Sequence, residues 1–548
     1  MKAFAKAFAK AFAKAFAGAF SGTGALVRLI LRRDRVVLPL WVLSLSLLPV
    51  AIANTMYDLY PTAAERQSYI DIVTSTPTFL ALYGHAFGHS LGAITAWRLG
   101  GTVLFVGLAS LLSVIRHTRA EEEAGRRELL GATALGRQAP LIAALLVTCG
   151  ANLALGAIAA ASLIAYGLPV AGSVAFGLSW AVFGWAFAAL AAAVAQMTEG
   201  ARAARGISIA LLGLSLALRM AGDVGQEDEP SWLSWLTPFG WIQHIHLYGE
   251  QRWWVFALFA GVGAVFVSCA LALCARRDLG SGLLPTRPGR AEAVGWLRGP
   301  LGLAWRLQRG SLIAWTLGFA ALGGILGGIA EGGVQVIRDN PKLEVVVQRL
   351  GGSSGIADTY FAAIMGLLGL VAAGYAIGAA LRLRGEETSG RAEPVLAASV
   401  SRQRWAASHL AFAILGAAIL LGAAGIAAGL AYGLSTDDVG GDFGRVLSAA
   451  LVQLPAVWVL VGVSAALFGL LPRLAASVGW AALAACVLIE EFGRPLQLSK
   501  GVLDLSPFAH VPKLPADDVL AAPLVWLVLI SAVLVAAGLL GLRRRDVL

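Results

Sequence analysis

Residues 119–138 read RAEEEAGRRELLGATALGRQ, and 265 positions later residues 384–403 read RGEETSGRAEPVLAASVSRQ. Glu121, Glu122, Gly125, Arg126 and Glu128 of the first stretch fall on Glu386, Glu387, Gly390, Arg391 and Glu393 of the second. Arg137-Gln138 and Arg402-Gln403 then close the two copies at the same spacing. Both stretches are polar, and each lies between long apolar runs. A charged pattern kept twice, at matching places, divides the chain into two related halves that each present one polar element.

The surroundings set the fold class. Hydrophobic residues make up 58% of the 548 and charged residues 14%, against about 25% charged in an ordinary soluble domain. The chain is therefore an integral membrane protein. A spanning helix needs roughly 20 apolar residues, and backbone polar groups in lipid must be satisfied within the protein. The Leu/Ala/Val/Gly runs lack the two-residue alternation of a membrane barrel, so an all-α fold is predicted. Twelve spans are expected, at 36–56, 97–115, 139–166, 171–197, 205–221 and 252–274, then 310–330, 359–381, 406–433, 444–471, 474–490 and 521–542. The count of twelve, six in each half, depends on a break at Leu471-Pro472-Arg473.

Further landmarks recur at nearly the same offset. Arg32, Arg35 and Trp41 match Arg306, Arg309 and Trp315; Thr237-Pro238-Phe239 matches Ser506-Pro507-Phe508; Arg276-Arg277-Asp278 matches Arg544-Arg545-Asp546. The expected organisation is a first half at 22–278 with polar loop 116–138, a linker at 279–305, and a second half at 306–548 with polar loop 382–405. Residues 1–21 form a separate extension in which Phe4, Phe8, Phe12, Phe16 and Phe20 make an apolar stripe opposite Lys2, Lys6, Lys10 and Lys14. Such a basic amphipathic helix suits an anionic membrane surface.

Arginines gather before the first span (Arg28, Arg32, Arg33, Arg35), in both repeated loops and after the sixth and last spans, whereas acids occupy alternate loops (Asp223, Glu227, Asp228, Glu229, Asp437, Asp438, Asp442). By the positive-inside rule both termini and both repeated loops face the cytoplasm of a bacterial plasma membrane. The net charge of +10 is accounted for by topology, with no nucleic-acid partner. Cys149, Cys269, Cys274 and Cys486 lie in apolar spans without metal-ligand company. His85 and His89, four apart, and nearby His244 and His246 are the candidate metal ligands, and no metal site is assigned.

The acids lie toward the start of each repeated loop and an arginine at its end, a distribution that favours a helix through its dipole. A short helix there would be a rigid handle offering Glu121, Glu122, Glu386 and Glu387 to basic groups of a soluble partner. The run from acidic pair through Gly-Arg-x-Glu to Arg-Gln resembles the coupling-helix loop of ABC-2 type exporter permeases. The fused arrangement, with RRDLGSGLL at 276–284 and TPFGW at 237–241, is most similar to the actinobacterial polyketide-antibiotic (tetronasin-type) exporter branch. The resemblance implies a type V exporter-like fold. It assigns Glu121, Glu122, Gly125, Arg126 and Glu128 to one coupling helix, and Glu386, Glu387, Gly390, Arg391 and Glu393 to a second. It likens 24–35 to the family's elbow helix and 302–309 to a weaker counterpart, and it puts Phe105, Tyr360, Phe361 and Tyr375 along the path of a hydrophobic small-molecule cargo. Pro394 stands where the first copy has Leu129, a possible inequivalence between the two docking sites.

An exporter needs an energy source. A P-loop requires Gly-Lys-[Ser/Thr], and no Gly-Lys pair occurs in the chain. The expectation is a transport subunit that is not itself an enzyme, with two copies of a separate ATPase holding ATP and Mg. Two rivals stay open. An ion-coupled transporter places ionisable residues inside its spans, and these spans read as nearly free of charge. A membrane enzyme would need a site around the histidines.

Overall fold

A computed structural model describes residues 20–74, 80, 83–127, 135–223, 231–278, 282, 295, 299–331, 355–492, 499–515 and 521–545. The extension at 1–21, the linker at 279–305 and Glu128 thus lie largely or wholly outside the described residues. Two compact units divide the chain, Met1–Pro288 and Gly289–Leu548.

The first unit contains α1 (Thr23–Arg33), α2 (Val37–Leu59), α3 (Ala63–Thr74), α4 (Leu91–Arg98), α5 (Val103–His117), α6 (Arg119–Glu123), α7 (Ala139–Ala165), α8 (Val170–Met197), α9 (Ala201–Asp223), α10 (Pro238–His244) and α11 (Phe256–Arg276). The second contains α12 (Pro300–Gly328), α13 (Ile356–Thr388), α14 (Ala392–Ala397), α15 (Arg402–Ser435), α16 (Val439–Leu451), α17 (Leu454–Leu470), α18 (Ala475–Phe492), α19 (Lys500–Leu503) and α20 (Ala521–Arg544). Among the described residues there is no β-strand.

Among the described residues, eleven helices, one fewer than expected, are long and apolar enough to cross a membrane. The break at Leu471–Arg473 is present, but the apolar stretch of α18, Ala475–Glu490, is shorter than the eleven candidate spans. At 1.5 Å per residue it reaches only about 24 Å of a roughly 30 Å hydrocarbon core. The second span starts at Val103 rather than 97, because Gly100-Gly101 separates α4 from α5. A Cβ on Gly100 would lie 2.9 Å from Tyr83 O, so the break also lets two backbones approach.

Helix α1 buries Leu26 and Ile30 against Ala139, Ala143 and Val147 of α7, and Asp34 N bonds Ile30 O at its end. Its expected counterpart at 302–309 is no separate element but the first turns of the continuous α12.

Small residues let helices close on one another, as they do where lipid supplies no hydrophobic drive to associate. A Cβ on Gly156 of α7 would lie 2.3 Å from Gly177 O of α8, the most enclosed span of its unit with 83% of its apolar window buried. In the second unit Gly323 and Gly327, one turn apart on α12, meet Ala424 O and Ala428 O of α15 at 2.3 Å each by the same measure. The two units also repeat individual bonds. Trp185 Nε1 donates to Cys149 O (2.9 Å) as Trp458 Nε1 does to Ile414 O (3.2 Å). Gln138 donates to Leu271 O (3.3 Å) as Gln403 does to Leu539 O (3.4 Å).

Candidate functional site

The repeated loops organise the polar chemistry of both units. In the first, the three consecutive glutamates on α6 each reach a different element. Glu121 pairs with Arg33 at the end of α1 and with Arg126 at 2.8 Å. Glu122 takes a two-pronged bond from Arg277, just past α11, at 2.8 and 2.7 Å, and also meets Arg119 at 3.1 Å and Arg127 at 3.0 Å. Glu123 accepts the N–H of Ala201, the first residue of α9, at 3.0 Å. A carboxylate at a helix start satisfies an orphan amide and the dipole together. Asp34, in the turn after α1, adds His117 Nε2 at 2.6 Å and Arg116 at 3.1 Å. One short segment therefore ties α1, α5, α9 and α11 together.

The second unit makes a sparser version. Glu387 accepts Arg545 Nη2 at 2.7 and 2.8 Å, and that guanidinium lies 5.0 Å from the Phe468 ring centre. Glu386 pairs with Arg391 at 3.2 Å and Arg382 at 3.7 Å, both within its own loop region. Thr388 stands where the first unit has Glu123, and its hydroxyl bonds back to Arg384 O at 2.9 Å. No acid is present there to reach a neighbouring helix.

These contacts correct two expectations. The carboxylates of Glu122, Glu386 and Glu387 are turned inward, with side chains only 5%, 11% and 9% exposed. They are spent on internal arginines, because an uncompensated charge in this setting is costly. Glu121 and Glu122 lie in the first turn of α6, as expected, but in the second copy the acidic pair does not start the loop helix. Glu386 and Glu387 sit in the last turn of α13, where the dipole disfavours them and arginine partners offset it. What stays exposed is the far side of the turn: Glu123, Ala124 and Arg126 in the first unit, and Thr388, Ser389, Gly390, Arg391, Glu393 and Pro394 in the second. Gly125 (φ 69°) and Gly390 (φ 70°) hold the left-handed conformation that reverses the chain. Pro394 falls in the first turn of α14, where its missing N–H costs no bond. Leu129, opposite Pro394, lies outside the described residues; among those described, the copies differ at Glu123 and Thr388.

The four aromatic residues considered for cargo do not form one group. Phe105 is 54% exposed on α5. Phe361 and Tyr375 are buried in the second unit's core, packed on Tyr432 and Trp315 respectively. Tyr360 is half-buried, its hydroxyl donating to Leu326 O at 2.8 Å.

A polar cluster at the opposite end of the first unit was missed by treating the spans as nearly uncharged. Arg219, inside the fifth span, is 2% exposed and meets Asp223 one turn on at 3.2 Å, while Gln243 Nε2 donates to the same Asp223 oxygen at 3.0 Å. The i, i+4 spacing of Arg219 and Asp223 was the available signal. Residues 84–89 are non-helical, so His85 and His89 share no helical face. Among the described residues no group of three His, Cys, Asp or Glu could hold a metal ion.

His244 beside this cluster is buried, stacked on Trp235 with ring centres 3.7 Å apart, and 2.7 Å from Ser234 Oγ. Burial first, then His246, Arg252 and His85, pushes its ring down to about 4 from 6.5. The unfolded chain therefore takes up this proton first as pH falls. Its contribution is complete above about pH 6.5 and is lost on acidification toward pH 4. The melting temperature is expected to drop across that window, and His244→Gln should flatten the part between pH 6.5 and 5. An unchanged slope would show that another group carries the dependence.

Comparison with known proteins sets this geometry in a family. Residues 297–543 match the family model of the multidrug efflux system permease Rv1217c, C-terminal domain. Over 526 residues, the chain is 43% identical to the multidrug efflux system permease protein Rv1217c of Mycobacterium tuberculosis (strain ATCC 25618 / H37Rv), spanning 96% of this chain and 95% of that one. A chain of membrane-length helices that matches this permease almost end to end belongs to the Rv1217c family of multidrug efflux permeases.

Proposed function

We propose that this chain is the membrane-spanning subunit of an ATP-driven exporter of the ABC-2 type, moving amphipathic or hydrophobic drug-like compounds outward. Two copies of a separate ATPase subunit would bind the repeated loops and supply ATP and Mg. Both termini and both loops would face the cytoplasm. The observation that carries this reading is the glutamate hub of α6. A short polar element at the end of a membrane helix, tied by Glu121, Glu122 and Glu123 to three other elements, can pass a push from below into much of its unit. The exposed Arg126, Gly390, Arg391 and Glu393 are the groups available to a docking ATPase, while Glu122 and Glu387 transmit force as positioning residues. Phe105 and Tyr360 are the aromatic groups left accessible to cargo, and Phe361 and Tyr375 act through packing.

The test is co-expression with a candidate ABC ATPase subunit. The ATPase is expected to co-purify, and Arg126→Glu combined with Arg391→Glu should abolish co-purification at an unchanged melting temperature. Undiminished assembly would overturn docking at these loops. The buried Arg219–Asp223 pair favours a second reading, ion-coupled transport. Efflux driven by a proton gradient without ATP, and lost in Asp223→Asn, would select it.

A further inference from the structure

Asp223 closes α9 and is 0% exposed. Its two carboxylate oxygens are used unequally. Oδ2 accepts Arg219 Nη1 at 3.2 Å and Gln243 Nε2 at 3.0 Å, whereas Oδ1 is buried with no hydrogen-bond partner. Gln243, just past the middle of α10, is used unequally in the matching way. Its Nε2 donates to Asp223, and its Oε1 is buried with no partner. A buried polar atom left without a bond is uncommon in a native fold and asks for a cause.

The chemistry of the two groups supplies one. An ionised carboxylate and an amide carbonyl are both acceptors only, so Oδ1 and Oε1 cannot bond to each other. A proton taken from water and bound to Oδ1 changes that. The carboxyl loses its charge, and its new O–H can donate to Gln243 Oε1 while Gln243 Nε2 still donates to Oδ2. Acid and amide are then joined by two bonds of opposite direction, and one proton has satisfied both atoms.

The surroundings hold the pair together. Gly84 covers it with bare backbone: a Cβ there would collide with Gln243 Nε2 and lie 3.0 Å from Arg219 Nη1. Trp97 of α4 fixes that cover, donating from Nε1 to Gly84 O at 2.6 Å. The charged and titratable groups that face Asp223 are Arg219 from α9 itself and His85 from the segment beside Gly84, while α10 faces it with the neutral Gln243. The second unit is built differently. Glu490, near the end of α18, accepts the hydroxyl of Ser506 at 2.6 Å. A hydroxyl is a donor already, so that contact needs no added proton.

An ionisable side chain buried in a span is a functional candidate by default. We infer that Asp223 is a proton-binding site, and that the bound proton clasps α9 to α10 through Gln243. The inference holds whether ATP or an ion gradient drives transport, since a site can hold a proton without carrying it across.

Infrared difference spectra and amide hydrogen exchange of the full chain test it, in detergent and over the pH range in which the chain stays folded. Asp223→Asn is the reference, because its amide can donate to Gln243 Oε1 at every pH as the protonated acid does. The wild type is expected to show, on acidification, a protonated-carboxyl band that Asp223→Asn lacks. Gln243→Leu should move that band to higher frequency. Exchange at Gly240–His244 is compared between wild type and Asp223→Asn at each pH, so that intrinsic rates and the His244 titration cancel. It should be several-fold faster in the wild type at the alkaline end and equal at the acidic end. Absence of an Asp223 band throughout, an unmoved band in Gln243→Leu, or an exchange ratio that does not change with pH would each overturn the clasp. The exchange comparison needs only the isosteric Asn variant, so it decides the matter even where Gln243→Leu does not fold. Efflux that proves to depend on ATP alone would remove the ion-coupled reading and leave these results unchanged.

Discussion

Glu122→Ala is expected to lower the stability of the first unit by about 3–5 kcal/mol, the cost of breaking a buried ion pair by removing one partner. Three guanidiniums, those of Arg119, Arg127 and Arg277, converge on this one carboxylate. Its removal leaves like charges facing one another out of water. The Arg277 contact is two-pronged, the strongest geometry for such a pair. Glu121→Ala is the contrast, because its partners Arg33 and Arg126 are 38% and 53% exposed. That change should cost about 0–1 kcal/mol, as for a surface bridge. Thermal unfolding of the purified chain measures both. Adding Arg277→Ala to Glu122→Ala should recover part of the loss, the sign of direct coupling in a double-mutant cycle. A Glu122→Ala protein that melts with the wild type would sink the account of the loop as a structural hub.

The second large effect is steric. Gly538→Leu places a side chain where a Cβ would already be 2.3 Å from Ala465 O. Overpacking usually costs about 1–3 kcal/mol, and here the obstacle is backbone, which cannot rotate away. Separation of α17 from α20 is expected, with a cost at or above the top of that range and loss of a single sharp peak on size exclusion. Gly263→Leu on α11 meets open space and should change stability by no more than about 0.5 kcal/mol. Equal behaviour of the two variants would show that the α17/α20 contact is looser than described.

The class of the molecule was legible because its signal is local and repeated many times. Apolar runs such as 139–166 and 171–197 leave a chain in lipid no alternative to the helix, and the structure places helices at Ala139–Ala165 and Val170–Met197. Where helix length was marginal, as at 474–490, the structure still places a helix, Ala475–Phe492, whose apolar stretch is shorter than the other spans. Where two glycines interrupted it, at Gly100-Gly101, the run hid a break.

The loops show the other side. The repeated acids, the glycines with φ near +70° and the Arg-Gln ends were visible in sequence as recurring letters. The letters did not say which way each carboxylate faces. Glu122 and Arg277 stand 155 positions apart, and no periodicity links them. Both belonged to landmarks recognised separately, yet their meeting depends on how α5, α8 and α11 pack. Glu123 went unremarked because its role exists only once the start of α9 is beside it. The sequence by itself determined a helical membrane chain of two matching halves and where its charges concentrate, since hydropathy and spacing act residue by residue. Only the tertiary structure decided which charges are consumed inside and which stay exposed, because those outcomes depend on approaches between helices distant in the chain.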